Sequence, residues 1–406
     1  MCSCIAFNVV ADDHSNQSAL SIDQVMRMAL KTHPLILSAR GQFNAAESEL
    51  SASKWSRFPT VSAGSQESKA EVKQDSTTVT LPVWLGGRIS ADIELAKSKR
   101  DSTLSGISEA QQTVMLESIS QFFEYFKSEK KLLIADQNVD EHKRLFDIIQ
   151  RRVAANTSPD VDTMLAQARL QSARSAQIQA NSARAIAQSS LELLIGDAVS
   201  SVVVSYDQEP LDLTVDRAVS IGLAVSPKIA RIKFDAEGLD ADIKSAKSAL
   251  YPQVSLSYEY SETEGGEFDG QPSEEAFVSV QFQPGAGFSV GSAISAAKQR
   301  KQSAIDNLEA ERRQLRRQIK TAWNEYTSVS LQLEPSKMLV DATSSVVESY
   351  LRQYAVGKKS WLDVLNAQRE STQARNTLVE YEILYLTSLY RLKVLLNEIN
   401  PNALGA

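Results

Sequence analysis

Residues able to do covalent or metal chemistry are few in this chain, and their spacing works against it. His14, His33 and His142 stand far apart, so neither a zinc site nor a His-based triad finds its members at workable spacing. Cys2 and Cys4, the only cysteines, sit at the extreme N-terminus. Gly86-Gly87 and Pro284-Gly285-Ala286-Gly287 are not phosphate loops. Each falls where a strand pattern gives way to a helical one and the backbone must swerve. No enzyme activity, cofactor or metal is expected. Polar chemistry gathers instead in YAVGKKSWLDVLNAQ (354–368). There Gly357 closes one helix in the left-handed region, Ser360 caps the next, and Asp363 stands three residues on. Lys358, Lys359 and Trp361 decorate the apex, where a plain connector would be small and bland.

The elements that position this turn are long helices. Gly and Pro number only 16 and 11 in 406 residues, and no proline interrupts 83–158. Such a run suits one helix of roughly 60 residues or more, about 90–100 Å long. The net charge of −7 argues against a nucleic-acid partner. In EAERRQLRRQIK (309–320), Arg312, Arg316 and Lys320 share one stripe while Arg313 and Arg317 share another. They read as a solvated or salt-bridged face, with a basic ring lining a lumen as the second reading.

Residues 1–11 read as the back half of a secretory signal, with Val9-Val10-Ala11 as a small-residue cleavage site. The missing basic n-region suggests a truncated start; a lipid anchor on Cys4 is the rival reading. No window reaches the roughly 18 apolar residues of a membrane-spanning helix, so entry into a membrane would have to use strands.

The chain repeats itself. Residues 20–64 lie ungapped on 213–257, with about nine of some 45 positions identical, Asp23/Asp216, Pro34/Pro227 and Pro59/Pro252 among them. Residues 155–174 match 356–375 likewise, with Asp162 on Asp363 and Arg174 on Arg375. Each half therefore reads as short helix, helix, two strands, long helix, tight turn, long helix. The first repeat spans 20–205, with strands about 60–84, long helices about 88–195 and a tip at 154–162. The second spans 206–400, with strands about 252–284, long helices about 288–399 and a tip at 355–363.

Val254, Leu256, Tyr258 and Tyr260 alternate with polar residues, as do Val278, Val280 and Phe282, and Val79, Leu81 and Val83. That period-two pattern makes strands with one apolar face; the first strand, VSAGSQESK, is weak. Four strands cannot close a barrel, since about eight are needed even for small ones. They must rest on helices or be pooled among copies of the chain. The last helix carries a heptad seam of Leu378, Tyr381, Tyr385, Ser388, Leu392, Leu395 and Ile399, polar at one position. Residues 165–194 instead show alanines all round, as in a sheet of helices wetted on both faces. An ordinary antiparallel coiled coil is the blander reading.

The tandem halves, the L-[ST]-x-D opening of each, LPVWLGGR at 81–88 and above all the 354–368 stretch resemble the TolC family of outer-membrane export ducts. The likeness covers nearly the whole chain beyond its N-terminal segment. It implies a mainly α fold with a small β part. Long antiparallel helices would form a periplasmic α-barrel, and each protomer of a homotrimer would give four strands to a shared transmembrane β-barrel in contact with outer-membrane lipid. Implied partners are a periplasmic adaptor (membrane fusion) protein and an inner-membrane ABC or proton-driven transporter. Carried over by position, Asp162 and Asp363 match constriction aspartates, and Tyr354 and Lys359 match groups that lock the entrance. Asn156, Gly357, Lys358, Ser360 and Trp361 fall on the adaptor-docking tips.

Three departures qualify that implication. Lys359 replaces an arginine and gives a less directional link. Asn366 stands where a second aspartate is expected. Asn156 replaces a tip glycine, a change that the left-handed region tolerates. Three copies of Asp363 around an axis would repel, raising their apparent pKa values and favouring cations; plain complementation of the helix dipole is the simpler role for both aspartates. Trp361 reads as an adaptor contact or a hydrophobic staple. The expected function is a passive duct for type I protein secretion or small-molecule efflux, with compact length and short loops favouring secretion. A periplasmic coiled-coil scaffold or adaptor without a pore is the alternative.

Overall fold

The computed structural model describes residues 19–67, 73–206, 209–264, 270–401 and 404. Cys2, Cys4 and the cleavage site at Ala11 lie outside the described residues. The element order is α1 (Ile22–Thr32), α2 (Pro34–Trp55), β1 (Thr60–Glu67), β2 (Lys73–Trp84), α3 (Arg88–Ala154), α4 (Asp160–Ile195), then α5 (Val215–Val225), α6 (Pro227–Ser248), β3 (Gln253–Glu264), β4 (Gln271–Gln281), α7 (Val290–Ala355) and α8 (Trp361–Leu395). The second six elements repeat the order of the first six. Ser21 opens α1 with a capping box to Gln24, whose side chain accepts from the Ser21 N–H at 2.7 Å. No described helix is long and apolar enough to cross a membrane.

Two compact units emerge, and each draws on both halves of the sequence. The first comprises the described residues within 1–33, 113–215 and 321–406. Its core joins Val25, Met26 and Ala29 of α1 to Phe122, Phe123 and Tyr125 of α3 and Leu386, Leu389 and Leu392 of α8, all almost fully buried. The Phe122 and Phe123 rings meet edge-on at 5.3 Å, a favourable arrangement of their quadrupoles. The heptad seam of α8 is broader than its spacing suggests. Ser388, the polar exception, is buried, with its hydroxyl donating to Tyr385 O, and Val379, Ile383, Leu389 and Tyr390 are buried beside the seam.

Helix α4 buries less of its surface within the chain. Ala166, Leu170 and Ala173, then Ala187, Leu191 and Leu194, form one narrow buried line. Alanine is small enough to sit on either side of such a line, so its spread hid a single seam. Pro335 lies inside α7 and removes one N–H from the helix ladder. It is tolerated because this turn is exposed, with Leu331 and Met338 also on the surface.

The second unit comprises 34–112 and 216–320. Its helix contacts are made by small residues and ion pairs. Gly238 of α6 would place a Cβ 3.1 Å from the Ser98 Cβ, so glycine gives that crossing its closeness. Lys244–Glu94, Arg300–Asp242 and Lys301–Asp240 link its helices at 2.6–2.7 Å. The four strands form an antiparallel sheet in the order β1-β2-β3-β4. The turn that leaves it at Gly86 has φ 64°, and a Cβ there would lie 2.6 Å from Ser248 O, so the swerve is reserved for glycine. The weakly patterned segment 60–67 is a full strand, held entirely by its pairing with β2.

Candidate functional site

Register decides which sheet face is apolar. Val61 lies opposite Val79, Val79 opposite Tyr258, and Tyr258 opposite Ala276. Leu81, Leu256 and Val278 form the next row. The other face carries Ser62, Thr78, Glu259 and Glu275 in one row, and Thr80 with Ser257 in another, their hydroxyls 3.4 Å apart; Pro82 and Phe277 are apolar members of it. Val61, Leu256, Tyr258, Val278 and Val280 are exposed. In water, such a face is costly at about 25 cal/mol per Å²; against lipid it is not. Aromatic residues cluster at one end of the sheet. Trp55 and Phe58 precede β1 with ring centroids 5.0 Å apart, and Trp84 at the end of β2 meets Tyr251, just before β3, at 5.9 Å. Amphipathic rings in that position are those of a membrane–water interface. β1 and β4 are the sheet's two outer strands, each with one unpaired edge.

The tips are two helix hairpins in the first unit. At the end of α3, Asn156 takes φ 55°, with N–H donation from Asn156 to Val153 O and from Thr157 to Arg152 O at 2.9 and 2.8 Å. At the end of α7, Gly357 takes φ 74°, with Gly357 donating to Tyr354 O and Lys358 to Gln353 O at 3.0 and 2.9 Å. Asn and Gly serve the same left-handed closure. Ser360 then caps α8. Asp363 Oδ2 accepts from the Ser360 N–H at 3.0 Å and the Ser360 hydroxyl at 2.8 Å. Those bonds, with the Lys359 charge a lesser contribution, hold the Asp363 carboxyl below its ordinary value. Within one chain Asp363 is therefore a capping residue stabilised as the anion. Asp162 occupies the third position of α4, donating its N–H to Pro159 O at 3.0 Å.

Tyr354 is drawn to the first tip. Its ring is buried under the Arg152 guanidinium at 4.7 Å, and its hydroxyl lies 3.4 Å from that of Ser158. Arg152 also donates weakly, at 3.5 Å, to the carbonyls of Tyr354 and Ala355. Lys359 does not reach the first tip; its ammonium lies over the Tyr350 ring of its own hairpin at 4.3 Å. Trp361, read as an adaptor contact or a hydrophobic staple, lies within the tip core of this chain. It is only 4 % exposed, packed with Tyr354, Leu145, Ile149 and Val364, because the first residue of α8 faces inward between the helices. The exposed apolar groups of the tips are instead Val161, Met164, Val356 and Leu362. Lys358 is exposed beside them.

The family model for outer membrane efflux proteins matches residues 25–197 and 219–398. The chain belongs to that family. It is a TolC-like outer-membrane protein of a family of passive channels rather than enzymes. The efflux-family chain is 23% identical to the alkaline protease secretion protein AprF of Pseudomonas aeruginosa over 62% of its length and 54% of AprF's. It is 22% identical to the cobalt-zinc-cadmium resistance protein CzcC of Cupriavidus metallidurans, covering 88% of this chain and 85% of that one. Its fold matches the outer membrane protein VceC of Vibrio cholerae with a TM-score of 0.81 at 14% identity, over 92% of this chain and 95% of VceC. Sequence reasoning missed Arg152, whose available signal was a basic residue in the last turn of α3. It also missed the paired exposed apolar residues Val161 and Leu362, which the repeat places in register.

Proposed function

We propose that this chain forms a homotrimeric duct in the outer membrane, serving a tripartite exporter for protein secretion or small-molecule efflux. The observation that carries the reading is the open four-stranded sheet, whose aligned apolar face and two unpaired edges need identical neighbours. Three copies pooling four strands each close a barrel with that face on lipid, while the long helices continue as a periplasmic tube. The hairpin tips form its entrance. An adaptor docks on Val161, Met164, Val356 and Leu362 around Lys358, and an inner-membrane transporter drives cargo through a passive pore.

Arg152, Tyr354 and Ser158 are the proposed latch, in place of Lys359. Arg152 Nε, Thr163 Oγ1 and Trp361 Nε1 are buried there without hydrogen-bond partners. Each such atom costs about 1–3 kcal/mol, so adaptor binding that opens the tips is opposed by less than the apolar packing alone implies. Asp162, whose carboxylate is not committed to a cap, is the better candidate of the two aspartates to face the axis. The test is cysteine cross-linking of Val61→Cys on β1 with Val280→Cys on β4, in a chain lacking Cys2 and Cys4. Oxidation in membranes is expected to give a ladder ending at three copies. Uncross-linked monomer recovered without detergent would favour the pore-free scaffold.

A further inference from the structure

Near the tips, α3, α4 and α8 enclose a pocket of about 210 Å³ that the export reading does not use. Its lining is cationic and neutral: His142 from α3, Arg169 from α4 and Arg369 from α8, with Asn138, Asn366 and Gln373 supplying amides and no carboxylate present. Among the described residues neither Arg169 nor Arg369 has an ion-pair partner. The nearby α3 carboxylates are engaged elsewhere. Glu141 accepts from Arg375 at 3.1 Å and from Gln368, and Asp136 accepts from Gln177 at 2.8 Å. The Thr372 hydroxyl lies 3.1 Å from Asn138 Oδ1 and 3.0 Å from the Gln368 carbonyl. Ala173, Ala176 and Leu365 give the pocket an apolar floor.

The sequence repeat does not reproduce this arrangement. In the register that sets Asp162 on Asp363, the counterparts of Asn138, His142 and Arg169 are Leu339, Thr343 and Glu370. Asn366 adds a neutral amide one turn from Arg369, where an aspartate would neutralise the arginine internally. Two guanidiniums from α4 and α8 and an imidazole from α3, with amide donors beside them and no carboxylate in the lining, form a receptor for an anion.

We propose that this pocket binds a small tetrahedral oxyanion of the sulfate or phosphate class, bridged between Arg169 and Arg369. Both guanidiniums offer forked donors that suit such an ion, and its bound charge ties α3, α4 and α8 together. His142 supplies a pH response. Burial, with the Arg169 charge as a lesser cause, keeps its imidazole below the ordinary value, against an opposing pull from Glu141. Those two groups and Arg369 are the charges that face it from the three helices. A bound anion favours the protonated ring, so affinity strengthens as pH falls.

Isothermal titration of the full-length protein in detergent with sodium sulfate, at ionic strength held constant by chloride, tests the site without reference to conduction. Sulfate keeps its charge across the range, so any pH response belongs to the protein. One saturable site per chain is expected, weakened about tenfold or more by Arg169→Gln or Arg369→Gln. Unchanged melting without sulfate will show that these exposed-residue variants are folded. Affinity rises as pH is lowered below neutral in the parent, and His142→Gln flattens that rise. Absence of saturable binding, or equal binding by the double arginine variant, would overturn the proposal. Equal displacement by acetate would overturn the tetrahedral class.

Discussion

The two hairpin tips use one backbone solution with different side chains, and the contrast separates structural from functional acid groups. Both close on a left-handed residue, Asn156 or Gly357, with matching pairs of backbone hydrogen bonds. Beyond that point they diverge. Pro159 opens α4 without a side-chain cap, while its counterpart Ser360 makes a full capping box with Asp363. Asp160, exposed, stands where Trp361 is buried. The second tip thus carries its own cap, while its Trp361 core is shared with Leu145 and Ile149 of α3. The first depends on its neighbour, through Arg152 over Tyr354 and Ser158 against the Tyr354 hydroxyl. The two tips therefore differ in their caps and share one aromatic core.

Equivalent substitutions in the two tips should therefore have unequal effects. Trp361→Ala empties an aromatic site in the tip core and should cost about 3–5 kcal/mol, read by chemical denaturation in detergent. Asp160→Ala at the matching position should change stability little. If both are neutral, the inward packing of α8 is not what holds the tip. Next in size, Ser360→Ala removes a side-chain cap at a cost of about 1 kcal/mol, while Pro159→Ser should supply the missing cap and stabilise by several tenths to about 1 kcal/mol. Calorimetric melting shifts of opposite sign would confirm the asymmetry; shifts of the same sign would remove it.

Smallest is the pH effect at Asp363. Its folded-state pKa is lowered from 3.8, so its contribution is present above that value and is lost as pH falls through the depressed one. Asp363→Asn should be less stable than the parent at neutral pH, with the two melting curves converging below about pH 4. An Asp363→Asn variant more stable than the parent at neutral pH would mean that repulsion among copies outweighs the cap.

Much of this architecture was legible in advance because it is written in periodicity and punctuation. Pro34, Pro59, Pro227 and Pro252 mark breaks between elements, and the strand alternation at 254–260 survives as one apolar face. Side-chain direction at the tips was not legible. Trp361 sits at an apex in sequence, yet the first residue of a helix points wherever the hairpin closes, and here that is inward. The partner of Tyr354 was equally hidden, since Arg152 and Tyr354 are far apart in sequence and meet only through the pairing of two hairpins. Segment 60–67 looked weak because its strand character comes from a neighbour's ladder rather than from its own residues.

Single-channel recording in planar bilayers tests most directly whether copies of this chain pool their strands into a pore. Purified protein should insert and give discrete, cation-preferring conductance steps, with the preference reduced more by Asp162→Ala than by Asp363→Ala. Protein that stays soluble without detergent and leaves the bilayer silent would contradict the account.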